Sequence, residues 1–429
     1  MRSKRKVVVT GRGVVSPLGI GLSAHGDGLL KGRSAIARNA KLASMGLALA
    51  SVAEVPEEEL LKHVDAIPRR QRKLMNRAGV LAGIASTMAM KEAALSVESL
   101  DPVRSGVVLA TWHTAYELTS FIRYLAQSAS DEDPRRLDSC KANVNWTKGM
   151  NPVDYSLKVL PNLSAGHLAI LHRAQGYSRL IADGWRGGLL AVAQAADAIR
   201  HGELDVALAG GTESTLEEGI LCDLSTMDVM APVSDVPDRM CRPFDIARAG
   251  SVVGEGAAIV LLESEEHAAT RGAAHFGEIA ASASSAALEE GDAEQALVRS
   301  MRWALAEAGL RPHEVDLIHA NGDSTPGNDR AEFMAIGNVF GARARSLPVA
   351  ATKSQHGHLL SAAGAMELVN SLIMMERGIV PPILNCDTPD PECRLDLVRE
   401  VPRHLSGISS VLLNAVGLFG ESASLIVRR

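Results

Sequence analysis

Short apolar runs alternate along this chain with longer stretches whose apolar residues return at helical spacing. Lys6–Thr10, Val107–Ala110, Leu180–Ala182, Asp205–Gly210 and Ala257–Leu262 predict buried strands. Past Gly277 the series restarts with Asp316–Ala320, Leu347–Ala351, Val411–Ala415 and Ala423–Val427. Between them, Gln71–Leu95, Leu163–His172, Ala296–Ala308, Asn328–Val339 and Ser361–Glu376 predict helices. Trp112–Leu125 predicts a helix or a long structured loop, Asp131–Trp146 an irregular polar surface segment, and Cys241–Asp245 a loop. Strands alternating with helices argue an α/β protein whose mixed, mostly parallel sheet is covered on both faces. The restart predicts a duplicated core, with one half at 1–276 and the other at 277–429.

The sharpest local pattern is strand, turn, helix, strand between Gly176 and Gly211. Asp183-Gly184 is a turn signal after a short strand. From Gly187 the residues Leu189, Val192, Ala195, Ala196 and Ile199 mark one helix face, and His201-Gly202 closes it. A residue on such a turn sits at a helix N-terminus, where free N–H groups and the helix dipole favour negative charge. The same field lowers a thiol pKa, so the turn suits a nucleophilic cysteine. Here it holds Trp185, whose indole offers one N–H donor and no nucleophile or base.

Composition narrows the classes. Among 429 residues, 46% are hydrophobic and 3% aromatic, with 38 glycines, as in a packed chain rich in small apolar residues. The net charge of −6 argues against nucleic-acid binding. The apolar residues after the basic start are broken by Gly11, Arg12 and Gly13, so neither a secretory signal nor a membrane span is expected. The five cysteines form no CxxC pair, which predicts a reduced, cytoplasmic protein without a metal.

Five stretches carry a family resemblance: Val8–Gly19, Arg242–Glu263, Ala320–Glu332, Thr352–Gly364 and Asn414–Ser424. Through them the chain resembles the β-ketoacyl-[acyl-carrier-protein] synthases of the thiolase fold, which include the paired ketosynthase subunits of type II polyketide synthases. The resemblance implies a thiolase-like core in five layers (αβαβα) and a dimer interface through the strand before Trp185. In the active enzymes of that family a Cys on the turn takes the acyl chain. Two His residues and a Lys then serve decarboxylation and the enolate. Position by position, the Cys falls on Trp185, the first His on Asn321, the Lys on Lys353 and the second His on His358. Asn321 can donate a hydrogen bond but cannot carry a proton through the reaction. His319, two residues earlier on the strand, could substitute, or be a core histidine satisfied by backbone.

The resemblance is closest to the chain-length factor, the β-subunit that lacks the nucleophile, although that subfamily commonly has Gln at the Cys position. It implies a catalytically inactive subunit, not an enzyme on its own. Such a subunit pairs with an active ketosynthase α-subunit and shapes the tunnel that sets polyketide chain length. Trp112, Tyr116 and Thr119 fall where that tunnel is lined. Leu418 and Phe419 fall in a glycine-rich gating loop, where Phe419 is expected to stiffen the loop and fill its space. Arg69, Arg70, Arg72 and Lys73, read as opening the long helix, resemble a patch that meets the acidic acyl carrier protein. No cofactor is implied beyond the carrier's own 4′-phosphopantetheine, and neither nucleic acid nor membrane is an expected partner. Two other readings stay open. One is a thiolase-fold acyltransferase or condensing enzyme using non-standard residues such as Asp183, His319 or His358. The other is a purely structural scaffold.

Overall fold

The structure, a computed structural model, describes residues 5–47, 49–112, 118–149, 153, 157–287 and 292–429. Ten strands build the core: β1 (Val7–Ser16), β2 (Ser105–Ala110), β3 (Ser178–Ile181), β4 (Val206–Glu213), β5 (Gly256–Ser264), β6 (Gly277–Ser285), β7 (Leu317–His319), β8 (Pro348–Ala350), β9 (Ser410–Val416) and β10 (Ser422–Arg428). They lie in one mixed sheet in the order β3-β2-β4-β5-β1-β6-β10-β9-β7-β8. Asp396–Leu397 is added at the β8 edge, and Gly19–Ile20 hairpins onto β1. Each set of five repeats one spatial order, third-second-fourth-fifth-first. Its second strand is parallel to the third and fourth (β2 with β3 and β4; β7 with β8 and β9). Its fifth strand is antiparallel to the fourth and first. β1 and β6 join the two sets antiparallel.

Strand alternation sorts the side chains into layers. Val107 and Leu109 face outward with Val206, Leu208, Ile259 and Leu261, against the helices Arg77–Glu92 and Asn162–Leu171. Val108 and Ala110 face inward, onto the central helices Gly187–Arg200 and Ala363–Arg377. In the second set, Leu413 faces those same helices. Its neighbour Leu412 faces Ala293–Ala308 and Pro326–Phe340 on the far side. The result is helix, sheet, helix, sheet, helix. The central helices carry apolar residues nearly all round because both faces are covered.

Two expectations need correction. The long helix starts at Arg77, not Gln71. Arg69–Arg72 forms its own short turn, and Asn76 caps the later helix, its Oδ1 accepting the Gly79 N–H at 2.8 Å. The segment expected to be irregular contains the helix Ser139–Gly149, which packs with Leu118–Gln127 as an arm. Tyr124 meets Trp146 edge-on there, ring centroids 5.6 Å apart. Neither arm helix has a buried residue, and Ile122, Val144 and Trp146 are exposed. Among the described residues, no helix is long and apolar enough to cross a membrane.

Candidate functional site

The turn after β3 is sharp because Gly184 takes φ 50°, and a 3₁₀ turn, Gly184–Arg186, runs into the central helix. The Ser361 hydroxyl ties the turn down by donating to the Gly184 carbonyl at 2.8 Å. A Cβ on Gly188 would come within 2.5 Å of the Ser361 carbonyl oxygen, so a side chain there would push the helix off its floor.

Trp185 is 1% exposed. It sits in an apolar cluster with Leu42, Val52, Ile220, Leu221, Leu224, Val253 and Leu360, flanked by half-buried Trp112 and Leu418. Its ring lies 4.6 Å from that of His358, tilted by 56°. Burial pushes His358 well below the usual histidine range, and the Lys353 charge adds to this. The imidazole is therefore neutral. Its Nδ1 accepts the Leu360 N–H at 2.9 Å, so the proton is on Nε2. Neither that Nε2 nor Trp185 Nε1 has a hydrogen-bond partner among the described residues.

The Asn321 side chain is held at both ends. Its Nδ2 donates to Asp323 at 3.0 Å. Its Oδ1 accepts from Lys353 Nζ and from the Val416 N–H, each at 3.2 Å. Lys353 also donates to the Asn321 carbonyl at 2.6 Å and pairs with Glu367, both side chains fully buried. Burial pushes Glu367 up to about 7, against the pull of that ammonium. Glu332 accepts the Asn321 and Gly322 N–H groups at 2.8 and 2.9 Å, which pins the loop after β7.

The other predicted residues are spread more widely. His319 is a core histidine held by two side-chain hydroxyls, Ser371 at 2.8 Å and Thr352 at 3.2 Å, with a backbone hydrogen bond to Glu367 beside them. Burial lowers its pKa to about 3. Asp183 is held by Arg186 at 3.0 Å. Phe419 does not fill a gate, because it is 79% exposed. The Glu421 side chain occupies the space above Gly417 and accepts the Phe419 N–H at 2.9 Å, so the ring is turned out, while Leu418 packs inward. Thr119 is exposed on the arm, and Tyr116 lies outside the described residues. Arg69, Arg70 and Lys73 are exposed, whereas Arg72 is half-buried and reaches Asp65 at 3.4 Å.

Sequence reasoning passed over Asp323, which gathers four donors beside Asn321. An acidic residue two before Thr325 and five before Asn328 is the turn-forming pattern that could have marked it.

Known proteins agree with this frame. The N-terminal β-ketoacyl synthase domain profile matches residues 4–268 and the C-terminal one residues 268–387. The chain is 34% identical to nodulation protein E of Rhizobium leguminosarum bv. trifolii, over 99% of each chain. It is 28% identical to 3-oxoacyl-[acyl-carrier-protein] synthase 2 of Staphylococcus aureus (strain COL), over 100% of this chain and 99% of that one. Among solved structures it is similar to the ishigamide ketosynthase/chain length factor, with TM-score 0.84, 28% identity and 99% of each chain covered. It is also similar to AntDE:AntF, a type II polyketide synthase acyl-carrier protein in complex with its ketosynthase, with TM-score 0.81, 27% identity and the same coverage. The chain belongs to the β-ketoacyl synthase family.

Proposed function

We propose that this chain is the non-catalytic, chain-length-factor-like partner of an active ketosynthase. The pair would shape the tunnel that sets polyketide chain length on an acyl carrier protein. The observation that carries this reading is the buried indole on the turn that suits a thiol, packed against a neutral His358. A thioester cannot form on a tryptophan. The remaining cysteines offer no substitute. Burial pushes Cys386 and Cys393 up to about 12 and about 11, and Cys241 higher still. Cys140 is exposed on the arm, and Cys222 is exposed on Glu218–Ser225, the helix whose buried residues Ile220, Leu221 and Leu224 pack with Trp185.

Pairing has support of its own. On its outer side, β3 has no neighbour among the described strands, and the arm displays Ile122, Val144 and Trp146. An open sheet edge and a set of exposed apolar residues are each surfaces that favour being covered. The exposed Arg69, Arg70 and Lys73 suit an acidic carrier protein. The similarity to a ketosynthase/chain length factor and to a ketosynthase–carrier complex points the same way.

Co-expression with a ketosynthase that carries Cys, His and His tests the tunnel role. Trp112→Ala, and separately Tyr116→Ala, should lengthen the product. Unchanged product length with both would reduce the chain to a scaffold.

A further inference from the structure

Asp323 lies within the motif Asn321-Gly322-Asp323-Ser324-Thr325-Pro326 and is fully buried. Its Oδ2 accepts from Asn321 Nδ2 at 3.0 Å and Asn328 Nδ2 at 2.8 Å. Its Oδ1 accepts the Thr325 N–H at 2.9 Å and the Thr325 hydroxyl at 2.7 Å. Four donors on two oxygens fill the acceptor sites of this group. That fixes Asn321. Its amide nitrogen must face this acceptor, and its oxygen must face the Lys353 ammonium and the Val416 N–H. The chemistry of the surroundings allows one orientation of the amide.

The charge has a second effect. Asp323 joins Asp329, Glu332 and Glu367 in the dry interior, where Lys353 and Arg248 are the cations near them. An added fixed negative charge disfavours bringing in another anion.

We propose that Asp323 is a positioning residue that locks this site shut independently of Trp185. It lies 3.0 Å from the Asn321 amide, at the position the resemblance gives to the first His, and sets a carboxylate there against a malonyl carboxylate. Given the inactive-partner reading of the site, refitting it therefore takes three changes and not two.

The test uses the complex with the ketosynthase partner, whose own Cys and two His residues are replaced by Ala so that its site can neither load nor decarboxylate. Malonyl-carrier decarboxylation is compared for Trp185→Cys/Asn321→His with and without Asp323→Thr. With Asp323→Thr the rate should rise by roughly 10²-fold. The pH–rate profile should also move down by roughly a pH unit, because a carboxylate beside the introduced imidazole raises its pKa and Asp323→Thr removes that carboxylate. Equal rates and equal profiles would overturn the role of Asp323.

Failure of the underlying reading looks different: decarboxylation would then occur with this chain unaltered. If the triple variant does not fold, Asp323→Asn in the Trp185→Cys/Asn321→His background decides instead. The lock requires the pH–rate profile to move down by roughly a pH unit there as well. An unchanged profile would refute it.

Discussion

The indole of Trp185 and the imidazole of His358 meet at a 56° tilt with centroids 4.6 Å apart, and each ring keeps one N–H without a partner among the described residues. In an apolar pocket each such orphan costs about 1–3 kcal/mol. The contact is therefore held by shape and burial, not by hydrogen bonding.

Trp185→Ala should then cost about 3–5 kcal/mol, the usual range for emptying a large aromatic site. Trp185→Phe should cost less than about 1.5 kcal/mol, since it keeps most of the volume and removes one orphan N–H. Urea unfolding of the purified complex measures both. Equal losses would mean that the indole nitrogen, and not the ring's bulk, matters.

Lys353 and Glu367 are a buried pair, so removing one partner is worse than removing both. Lys353→Met should destabilise by about 3–5 kcal/mol, because Glu367 loses its ammonium partner and must take up a proton to stay buried. Lys353→Met combined with Glu367→Leu should recover a large part of that loss. Thermal midpoints of the three proteins check the order.

Acid sensitivity has a defined sign. His172 is buried against the Ser86 hydroxyl at 2.8 Å, and burial lowers its pKa to about 4. A histidine that is neutral when folded and takes a proton when unfolded gives stability that is complete above about pH 6.5. That stability drains away as pH falls toward 4, at about 1.4 kcal/mol per unit. The advantage of the native chain over His172→Gln should thus shrink by about 2–3 kcal/mol between pH 7 and pH 4. A constant difference across that range would mean that His172 is already solvated in the native state.

The arm should govern pairing without governing the fold. Trp146 and Val144 are exposed on a helix that buries no residue of its own. Trp146→Asp should abolish capture of the ketosynthase partner while leaving the far-UV circular dichroism of the chain unchanged. Undiminished capture would place the interface elsewhere.

Much of the fold was legible because most of its strands and its central helices are buried on both sides, which leaves a plain apolar period. β3, expected to be buried, is instead an edge strand with only Ile181 buried. The arm helix Ser139–Gly149 escaped because it buries nothing and so carries no such signal. The start at Arg77 escaped because the basic Arg69–Arg72 turn continues the helical spacing, and only the Asn76 cap interrupts it. At the site, Trp185, Asn321, Lys353 and His358 could be placed from motifs. What each touches could not. The hydroxyls that satisfy His319 come from residues 33 and 52 positions away. Phe419 points outward because Glu421 takes the space beside Gly417, a competition between near neighbours that no period encodes.

The most direct measurement is intact mass of both chains after the complex is incubated with acyl- and malonyl-loaded carrier protein. A filled, thiol-free turn predicts an acyl adduct on the ketosynthase partner and none on this chain. An acyl mass on this chain would contradict the account.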